Sequence, residues 1–479
     1  MIATFIRTIV LISLLYVSAK SALAADALPA TPTQEELAHL IEVWLDFQKD
    51  AENIPAIMGA VIKGQDVLWQ GAVGVSNSAD GLSATTDSLT SICSITKVLT
   101  ATAIMKLVDE GKLNLDDDVQ ALLPAYSFQH RFAEQGPVTL RSLLTHSSGL
   151  PRDTGHAYWS APDFAFPTEQ QFIDSVSAMS TLHPVGEQSG YSNVGYGLLG
   201  AIIETVSGAS YKDYMEQQLF KPLGMLDSTV EMQASTHGSR HALGYSARSR
   251  HGQREQVEFY QTKALQPATG ISTSISDFTK FAMWQFEQPN SDDAVKLMRA
   301  SNRDRMLVNQ TQSGSRGFGY QVYTDDQNDQ WATHGGMCPG YNSFIKYNKS
   351  QQEAFAIFTN ANQVKALAYV NGLIELLNSA HSISEQTQTT VDLSQYTGFY
   401  DPAPWNSPYY VSTWGSSLIL MYLPSDSLRH ALYLYQHVEG DVFEHVAQGQ
   451  LTGQRIEFLR DEKGRVISIL DGHNRHPKT

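Results

Sequence analysis

Ser94-Ile95-Thr96-Lys97 is a group of residues that could do covalent chemistry. A serine hydroxyl is a poor nucleophile at neutral pH and needs a base within hydrogen-bond reach. Residues three apart lie on one face of a helix, so a helical segment would bring the Ser94 hydroxyl to the Lys97 amine. A helix N-terminus also favours the alkoxide that forms on the serine. The spacing therefore predicts Ser94 as a nucleophile and Lys97 as its base.

The same spacing occurs a second time in Ser343-Phe344-Ile345-Lys346. This copy lies in a strand-like alternation of apolar and polar residues, and residues three apart in a strand point to opposite faces of the sheet. We therefore expect Ser343 to be a structural residue and not a nucleophile.

Two further motifs follow the first in order: Tyr191-Ser192-Asn193, after a turn-rich loop, and His334-Gly335-Gly336, in a predicted strand. The set S-x-x-K, Y-S-N and H-G-G resembles that of the penicillin-recognising serine hydrolases. Its Y-x-N element is similar to that of the class C β-lactamase, esterase and D-aminopeptidase branch. The resemblance covers roughly residues 35–377 and includes three further stretches. These are 143–151, 222–225 and 267–278.

The resemblance implies a role for each motif residue. Ser94 attacks the carbonyl carbon and Lys97 takes the serine proton. Tyr191, with its pKa lowered by neighbouring cations, relays a proton to the leaving group. Asn193 orients Lys97 and the substrate amide. The backbone N–H groups of Ser94 and of Met337, the residue after H-G-G, form the oxyanion hole.

His334, Gly335 and Gly336 are expected to line the substrate site. Relatives with lysine at the first position of this motif use it near a substrate carboxylate, whereas histidine is mostly neutral at pH 7 and is a weaker anchor. The sequence therefore predicts a preference for substrates without a carboxylate on the leaving side.

The elements around these motifs predict an α+β fold. A helix with a capping box at Thr33 and Glu36 precedes a β-hairpin at 56–62 and 66–75, and a helical middle region follows. Short strand-like runs return from residue 331, with a helix at 363–377. We predict an antiparallel sheet flanked by helices, with a mostly helical lobe inserted.

These patterns predict four segments. Residues 378–392 are polar and lack periodicity, which indicates a linker. The apolar runs that follow it are separated by turns and predict a small all-β barrel or sandwich. The segments are a signal peptide at 1–24, a hydrolase domain at 25–377, a linker at 378–392 and a β domain at 393–479.

The first residues have the pattern of an export signal. Arg7 precedes the apolar run Thr8 to Val17, and Ala22-Leu23-Ala24 is a small-x-small cleavage pattern. Cleavage after Ala24 predicts a periplasmic or secreted protein without stable membrane insertion, and an uncleaved anchor is the alternative. The net charge of −16 disfavours nucleic acid as a partner. The oligomeric state stays open.

Two cysteines and two histidines have weaker patterns. Cys93 and Cys338 are expected to be separate thiols, with a disulfide as the alternative because they flank Ser94 and Met337. His237 and His241 have the spacing of a zinc pair, but the glycine and serine between them indicate a loop. We expect ordinary surface histidines and neither a metal nor an organic cofactor.

The sequence therefore predicts an exported serine hydrolase that cleaves an ester or amide of a small molecule or peptide through an acyl-enzyme. The alternatives within enzymes are a class C type β-lactamase and a D-amino-acid-specific peptidase. The alternative outside enzymes is a penicillin- or peptidoglycan-binding protein without turnover.

Overall fold

The computed structural model describes residues 31–287, 297–312, 314–381, 389 and 391–479. The predicted signal peptide lies outside the described residues. The chain divides into two compact units. The larger unit, residues 41–375, is called the hydrolase unit after the domain that the sequence predicts. The C-terminal unit is residues 376–479 with the described part of residues 1–40. No helix among the described residues is long and apolar enough to cross a membrane.

The hydrolase unit is built on an antiparallel sheet with the strand order β3-β2-β1-β10-β9-β8-β7. Its central strands β1 and β10 are buried along nearly their whole length, as expected for strands covered on both faces. A smaller sheet has the order β4-β6-β5. The strands are β1 Ala56–Lys63, β2 Asp66–Asn77, β3 Leu82–Ser83, β4 Thr90–Ser91, β5 Thr229–Val230, β6 Ile271–Thr273, β7 Gln321–Thr324, β8 Gln330–Cys338, β9 Tyr341–Asn348 and β10 Glu353–Thr359.

Helices of the hydrolase unit lie mainly between β4 and β7 in the chain, which confirms the predicted α+β architecture with a helical insertion. The unit boundaries fall within the first and last of these helices. The helices are α1 Gln34–Ala51, α2 Thr96–Asp109, α3 Val119–Leu122, α4 Leu140–Leu144, α5 Glu169–Ser177, α6 Asn193–Ser207, α7 Tyr211–Met215, α8 Lys221–Leu223, α9 Gln266–Thr269, α10 Ile275–Trp284, α11 Ala300–Met306 and α12 Ala366–His381.

Helix α1 begins with the predicted capping box. The Thr33 N–H donates to Glu36 Oε2 at 2.7 Å, and the Glu36 N–H donates to Thr33 Oγ1 at 3.1 Å. The predicted hairpin is present as β1 and β2. The first four residues of the predicted linker are helical instead, because α12 extends to His381.

The C-terminal unit contains an antiparallel sheet in which β11 to β18 pair in chain order. The Asp401 N–H donates to the Pro477 carbonyl at 2.9 Å and the Thr479 N–H to the Phe399 carbonyl at 3.0 Å, so the ends of the sheet meet and form a barrel. The strands are β11 Gly398–Tyr400, β12 Tyr409–Trp414, β13 Ser417–Tyr422, β14 Leu432–Glu439, β15 Val442–Ala447, β16 Gln450–Arg460, β17 Val466–Asp471 and β18 Asn474–Pro477.

The barrel encloses a core of aliphatic and aromatic side chains, including Tyr396, Val411 and Phe443. The apolar runs at 409–414, 417–423, 431–438, 455–461 and 466–472 predict strands that correspond to β12, β13, β14, β16 and β17. No such run marks β11, β15 or β18: β11 and β18 are short, and Glu444 and His445 interrupt the apolar residues of β15.

Candidate active site

The candidate nucleophile Ser94 lies in a single 3₁₀ turn, Cys93–Ile95, that leads into α2. The Ile92 N–H donates to the Ile271 carbonyl at 3.1 Å, and the Ile271 N–H donates to Thr96 Oγ1 at 3.1 Å. Strand β6 therefore holds the turn on both sides of the serine. The neighbours of Ser94 in the turn are fully buried, whereas Ser94 is half-buried.

Lys97 lies one helical turn after Ser94, as predicted. Its Nζ is 3.4 Å from Ser94 Oγ and donates to the Ala268 carbonyl at 2.7 Å. The side chain has no exposed surface. Burial holds the pKa of Lys97 well below its usual value, and the positive charge of Arg152 lowers it further, against the opposing effect of Asp153. The amine is therefore suited to be neutral and to accept a proton.

Tyr191 lies between the side chains of Lys97 and Arg152. Its ring centroid is 4.9 Å from Lys97 Nζ and 4.9 Å from Arg152 Cζ. The expected lowering of the Tyr191 pKa is wrong. Burial raises the pKa of Tyr191 to about 12, and this effect exceeds the opposing effects of the Ser94 hydrogen bond, Arg152 and Arg316. Tyr191 is therefore a neutral phenol that can donate a proton.

Asn193 begins α6 and is buried, but its partner differs from the expected one. Its Nδ2 donates to Asp153 Oδ1 at 2.6 Å. Its Oδ1 is buried without a hydrogen-bond partner among the described residues. Lys97 Nζ instead donates to the Ala268 carbonyl, so the α9 segment orients the lysine in this structure.

His334 is buried on β8 and faces the site. Its ring centroid lies 6.3 Å from that of Tyr191, and its Nδ1 donates to the Gly335 carbonyl at 2.8 Å. Burial lowers the pKa of His334 to about 3, and the charge of Lys97 adds to the effect. His334 is therefore neutral at physiological pH and supplies no charge to a substrate, as the sequence predicts.

Gly336 allows β8 to approach the nucleophile turn. A Cβ atom there would lie 2.2 Å from Ser343 Oγ and 2.3 Å from the Ile92 carbonyl oxygen, so any side chain would displace the strand. Ser343 Oγ itself donates to the Ile92 carbonyl at 3.0 Å. The second S-x-x-K copy is thus a structural support on β9. Its Lys346 lies 4.1 Å from the Trp331 ring.

A disulfide joins Cys93 to Cys338, with the two Cα atoms 5.5 Å apart. The expectation of separate thiols is therefore wrong. The positions of the cysteines beside Ser94 and Met337 support the alternative, a disulfide, and strand β8 brings the two together by running beside the turn that carries Ser94. The bond links the residue before Ser94 to the residue after Met337.

A cleft of about 380 Å³ opens in front of these groups. It brings Ser94, Tyr191, His334 and Met337 together with two arginines that no sequence motif indicates, Arg152 and Arg316. Its lining is Ser94, Arg152, Tyr191, Arg316, Gln321, Thr333, His334, Gly335, Gly336, Met337, Asn342, Ser343 and Phe344.

Neither arginine belongs to a recognisable motif. Arg152 directly follows the stretch 143–151 that resembles the family, and this position was the one indication in the sequence that Arg152 lies near the site. Arg316 lies in a glycine-rich loop. Arg316 Nε donates to Ser189 Oγ at 3.0 Å.

His146 and Asp153 also support the site without having been predicted. The Ser192 N–H donates to His146 Nδ1 at 3.1 Å, and the His146 ring lies 4.3 Å from the Tyr191 ring. Asp153 binds Asn193 and accepts a hydrogen bond from the Tyr158 hydroxyl. Both residues therefore fix the Tyr191–Asn193 segment from behind.

His241 is not a surface residue. It has no exposed surface, its Nε2 lies 3.0 Å from Ser272 Oγ, and burial lowers its pKa to about 4. The packing of the loop against β6 buries it. No group of three or more potential metal ligands occurs among the residues that the structure describes.

The family model for β-lactamases matches residues 44–378. The chain belongs to the β-lactamase family. Among curated relatives, protein flp of Staphylococcus aureus strain N315 is 26% identical over 370 residues, covering 76% of this chain and 70% of the relative. Penicillin-binding protein 4* of Bacillus subtilis strain 168 is 27% identical over 293 residues, covering 59% of this chain and 63% of the relative.

Solved structures share the fold. The octameric penicillin-binding protein homologue from Pyrococcus abyssi has a TM-score of 0.62 and 24% identity, covering 92% of this chain and 99% of that one. A class C β-lactamase from Rhodobacter sphaeroides has a TM-score of 0.58 and 19% identity, covering 72% of this chain and 99% of that one. The second comparison covers less of this chain than the first.

Replacing both bridged cysteines, in Cys93→Ala/Cys338→Ala, tests the role of the disulfide. We expect the free energy of unfolding to fall by about 4–5 kcal/mol, because the bond closes a very long loop in the unfolded chain. We also expect slower acylation of Ser94, since the turn and β8 lose their covalent link. Urea unfolding and the rate of labelling by a fluorophosphonate measure the two effects.

Non-reducing tryptic digestion supplies the control for this prediction. The peptides 64–97 and 317–346 should migrate as one linked species and separate after reduction. Two free thiols in air-oxidised, denatured protein would rule the disulfide out.

Proposed function

We propose that this chain is an exported serine hydrolase that cleaves an ester or amide through an acyl-enzyme on Ser94. The observation that carries the proposal is the 3.4 Å distance between Ser94 Oγ and the Nζ of a fully buried lysine. A buried, uncharged amine beside a serine at a helix N-terminus is the arrangement that nucleophilic catalysis requires. The Ala22-Leu23-Ala24 pattern supports export.

In the acylation step, Lys97 takes the proton of Ser94 as Oγ forms a bond to the substrate carbonyl carbon. The backbone N–H groups of Ser94 and Met337 receive the negative charge that develops on the carbonyl oxygen. The bond to the leaving oxygen or nitrogen then breaks. Tyr191 donates its phenolic proton to the leaving group and regains a proton from the Lys97 ammonium.

In the deacylation step, water attacks the acyl carbon and loses a proton to Lys97 and Tyr191, the same two residues that transfer protons during acylation. The ester bond to Ser94 breaks, Oγ recovers a proton, and a carboxylic acid leaves. The assignment of Lys97 as base and Tyr191 as acid rests on their pKa shifts, since burial favours a neutral lysine and a neutral phenol.

A second candidate function is cleavage of a D-peptide or β-lactam that carries a carboxylate. The observation that favours it is the presence of Arg152 and Arg316 in the cleft. Guanidinium groups bind carboxylates by paired, charge-assisted hydrogen bonds. Their charges are present where neutral His334 supplies none, which favours this candidate over the predicted preference for substrates without a carboxylate.

Ser94→Ala should abolish labelling by a fluorophosphonate probe and lower turnover by at least about a thousandfold, because it removes the hydroxyl that Lys97 deprotonates and that bonds to the substrate carbonyl carbon. Ser343→Ala, from the second copy of the motif, is the matched control and should keep both. Stoichiometric labelling of the Ser94→Ala variant would contradict the proposal. Labelling without turnover in the unaltered protein would instead support the binding protein without turnover.

Arg152→Gln should move the acidic limb of the pH–rate profile to higher pH. The reaction needs neutral Lys97, so activity is present above the pKa of Lys97 and is lost as the pH falls through it. Removing the Arg152 charge raises that pKa. The profile of kcat/KM for a p-nitrophenyl ester measures the shift. Arg248→Gln, a change at an exposed arginine outside the cleft, should leave the limb in place. A limb that does not move in Arg152→Gln would contradict Lys97 as the base.

Arg316→Gln separates the two candidate substrate classes. For a D-aminoacyl peptide with a free carboxylate, we expect KM to rise about 10- to 100-fold, since one charged hydrogen-bond partner is lost. For the same peptide with an amidated end, KM should change little. Equal KM changes for the two peptides would show that Arg316 does not bind the carboxylate.

A further inference from the structure

The C-terminal unit contains a cavity of about 520 Å³. The loop between β11 and β12 forms one wall, and the paired ends of β17 and β18 form the other. All of its lining residues lie within 402–476, so the cavity belongs to this unit alone. The mechanism proposed for Ser94 uses none of them.

Trp405 is the most prominent feature of this cavity. Its side chain is 87% exposed, the highest value among the large exposed hydrophobic side chains of the described residues. An indole offers a flat apolar face of large area together with an N–H donor. A tryptophan left in water at the edge of a cavity is therefore available to stack against a ligand.

The opposite wall is polar. It presents the carboxylate of Asp471, the amide of Asn474, the guanidinium of Arg475 and the imidazole of His476. These side chains together offer both donors and acceptors. Arg475 Nε donates to Ser468 Oγ at 3.0 Å, and His476 Nδ1 lies 3.1 Å from the Tyr409 hydroxyl oxygen. These contacts hold two of the polar groups in place before a ligand arrives.

The charges of the wall do not select an ion. Asp471 and Arg475 lie on this same wall and carry opposite formal charges, so the two together give it no net formal charge. The Tyr422 phenol also lines it, and its pKa is raised by burial and then by the nearby Asp471 carboxylate, so the phenol stays neutral. An anion would meet the Asp471 carboxylate and a cation would meet the Arg475 guanidinium.

The combination of one apolar face and a neutral polar wall fits one ligand chemistry. A lipid chain needs a mostly apolar lining, and a quaternary ammonium ion needs several aromatic faces around it. A pyranose ring has a flat face of C–H groups and a rim of hydroxyls that both donate and accept. The cavity also lies within the size range of small-molecule sites.

We propose that this cavity binds a neutral oligosaccharide, with one sugar ring stacked on Trp405 and its hydroxyls bonded to Asp471, Asn474 and Arg475. The site would hold the protein on a glycan independently of the chemistry at Ser94.

Saturation-transfer difference NMR on the full-length protein tests the proposal, with cellobiose, maltose and N,N′-diacetylchitobiose as probes at millimolar concentration. At least one disaccharide should receive saturation on its ring C–H protons. Trp405→Ala should weaken its binding roughly tenfold through loss of the stacking face. Asp471→Ala should weaken it as well. Leu451→Ala, which removes another exposed hydrophobic side chain of the same unit, is the matched control and should not change it.

Choline and methyl phosphate serve as charged probes in the same experiment, because both carry C–H protons that can receive saturation. Failure of all three disaccharides to bind would overturn the proposal, as would binding of choline or methyl phosphate in their place. Equal saccharide affinities for Trp405→Ala and the unaltered protein would overturn it too. Circular dichroism and thermal unfolding of every variant show whether the C-terminal unit is folded. Because saccharide binding is measured without turnover, the outcome is separate from that of the proposed hydrolase activity.

Discussion

The close approach of strand β8 to the turn that carries Ser94 is the constraint on which the candidate site depends. The Cys93–Cys338 disulfide closes this contact covalently, and Gly336 permits it because a side chain there would strike the Ile92 carbonyl. Ser343 adds a hydrogen bond to the same carbonyl. The two backbone segments proposed to hold the oxyanion therefore keep a fixed separation, and an oxyanion site acts only when its donors are preorganised.

Burial sets the electrostatics of the site. It holds the pKa of Lys97 well below its usual value and raises the pKa of Tyr191 to about 12. Arg152 contributes to both pKa shifts, since its charge lowers the pKa of Lys97 and opposes the burial effect on Tyr191. Together with Arg316, it also makes the cleft positive. The same guanidinium can thus favour the neutral base and attract an anionic substrate, which joins the acid–base chemistry to substrate choice.

Local patterns predict much of this structure. The helical segment that carries Ser94 and Lys97, the hairpin at 56–75 and the strand containing Ser343 each depend on the spacing of apolar and polar residues close together in the chain. The order of the motifs also indicates that Ser94, Lys97, Tyr191 and His334 lie together, and these side chains are neighbours in the structure. Properties set by distant segments were missed. The disulfide depends on strand β8 returning to the nucleophile turn. The sign of the Tyr191 pKa shift depends on burial depth, and the arginines come from loops without periodicity. The burial of His241 likewise depends on β6.

Peptide mapping of the trapped acyl-enzyme tests the central claim most directly. The protein would be quenched in acid during turnover of an ester, reduced and digested with trypsin, and the acyl group would be located by fragment masses. The account predicts the added mass on Ser94 in peptide 64–97 and an unmodified peptide 317–346. An acyl group on Ser343, on Tyr191 or on no residue at all during measured turnover would contradict it.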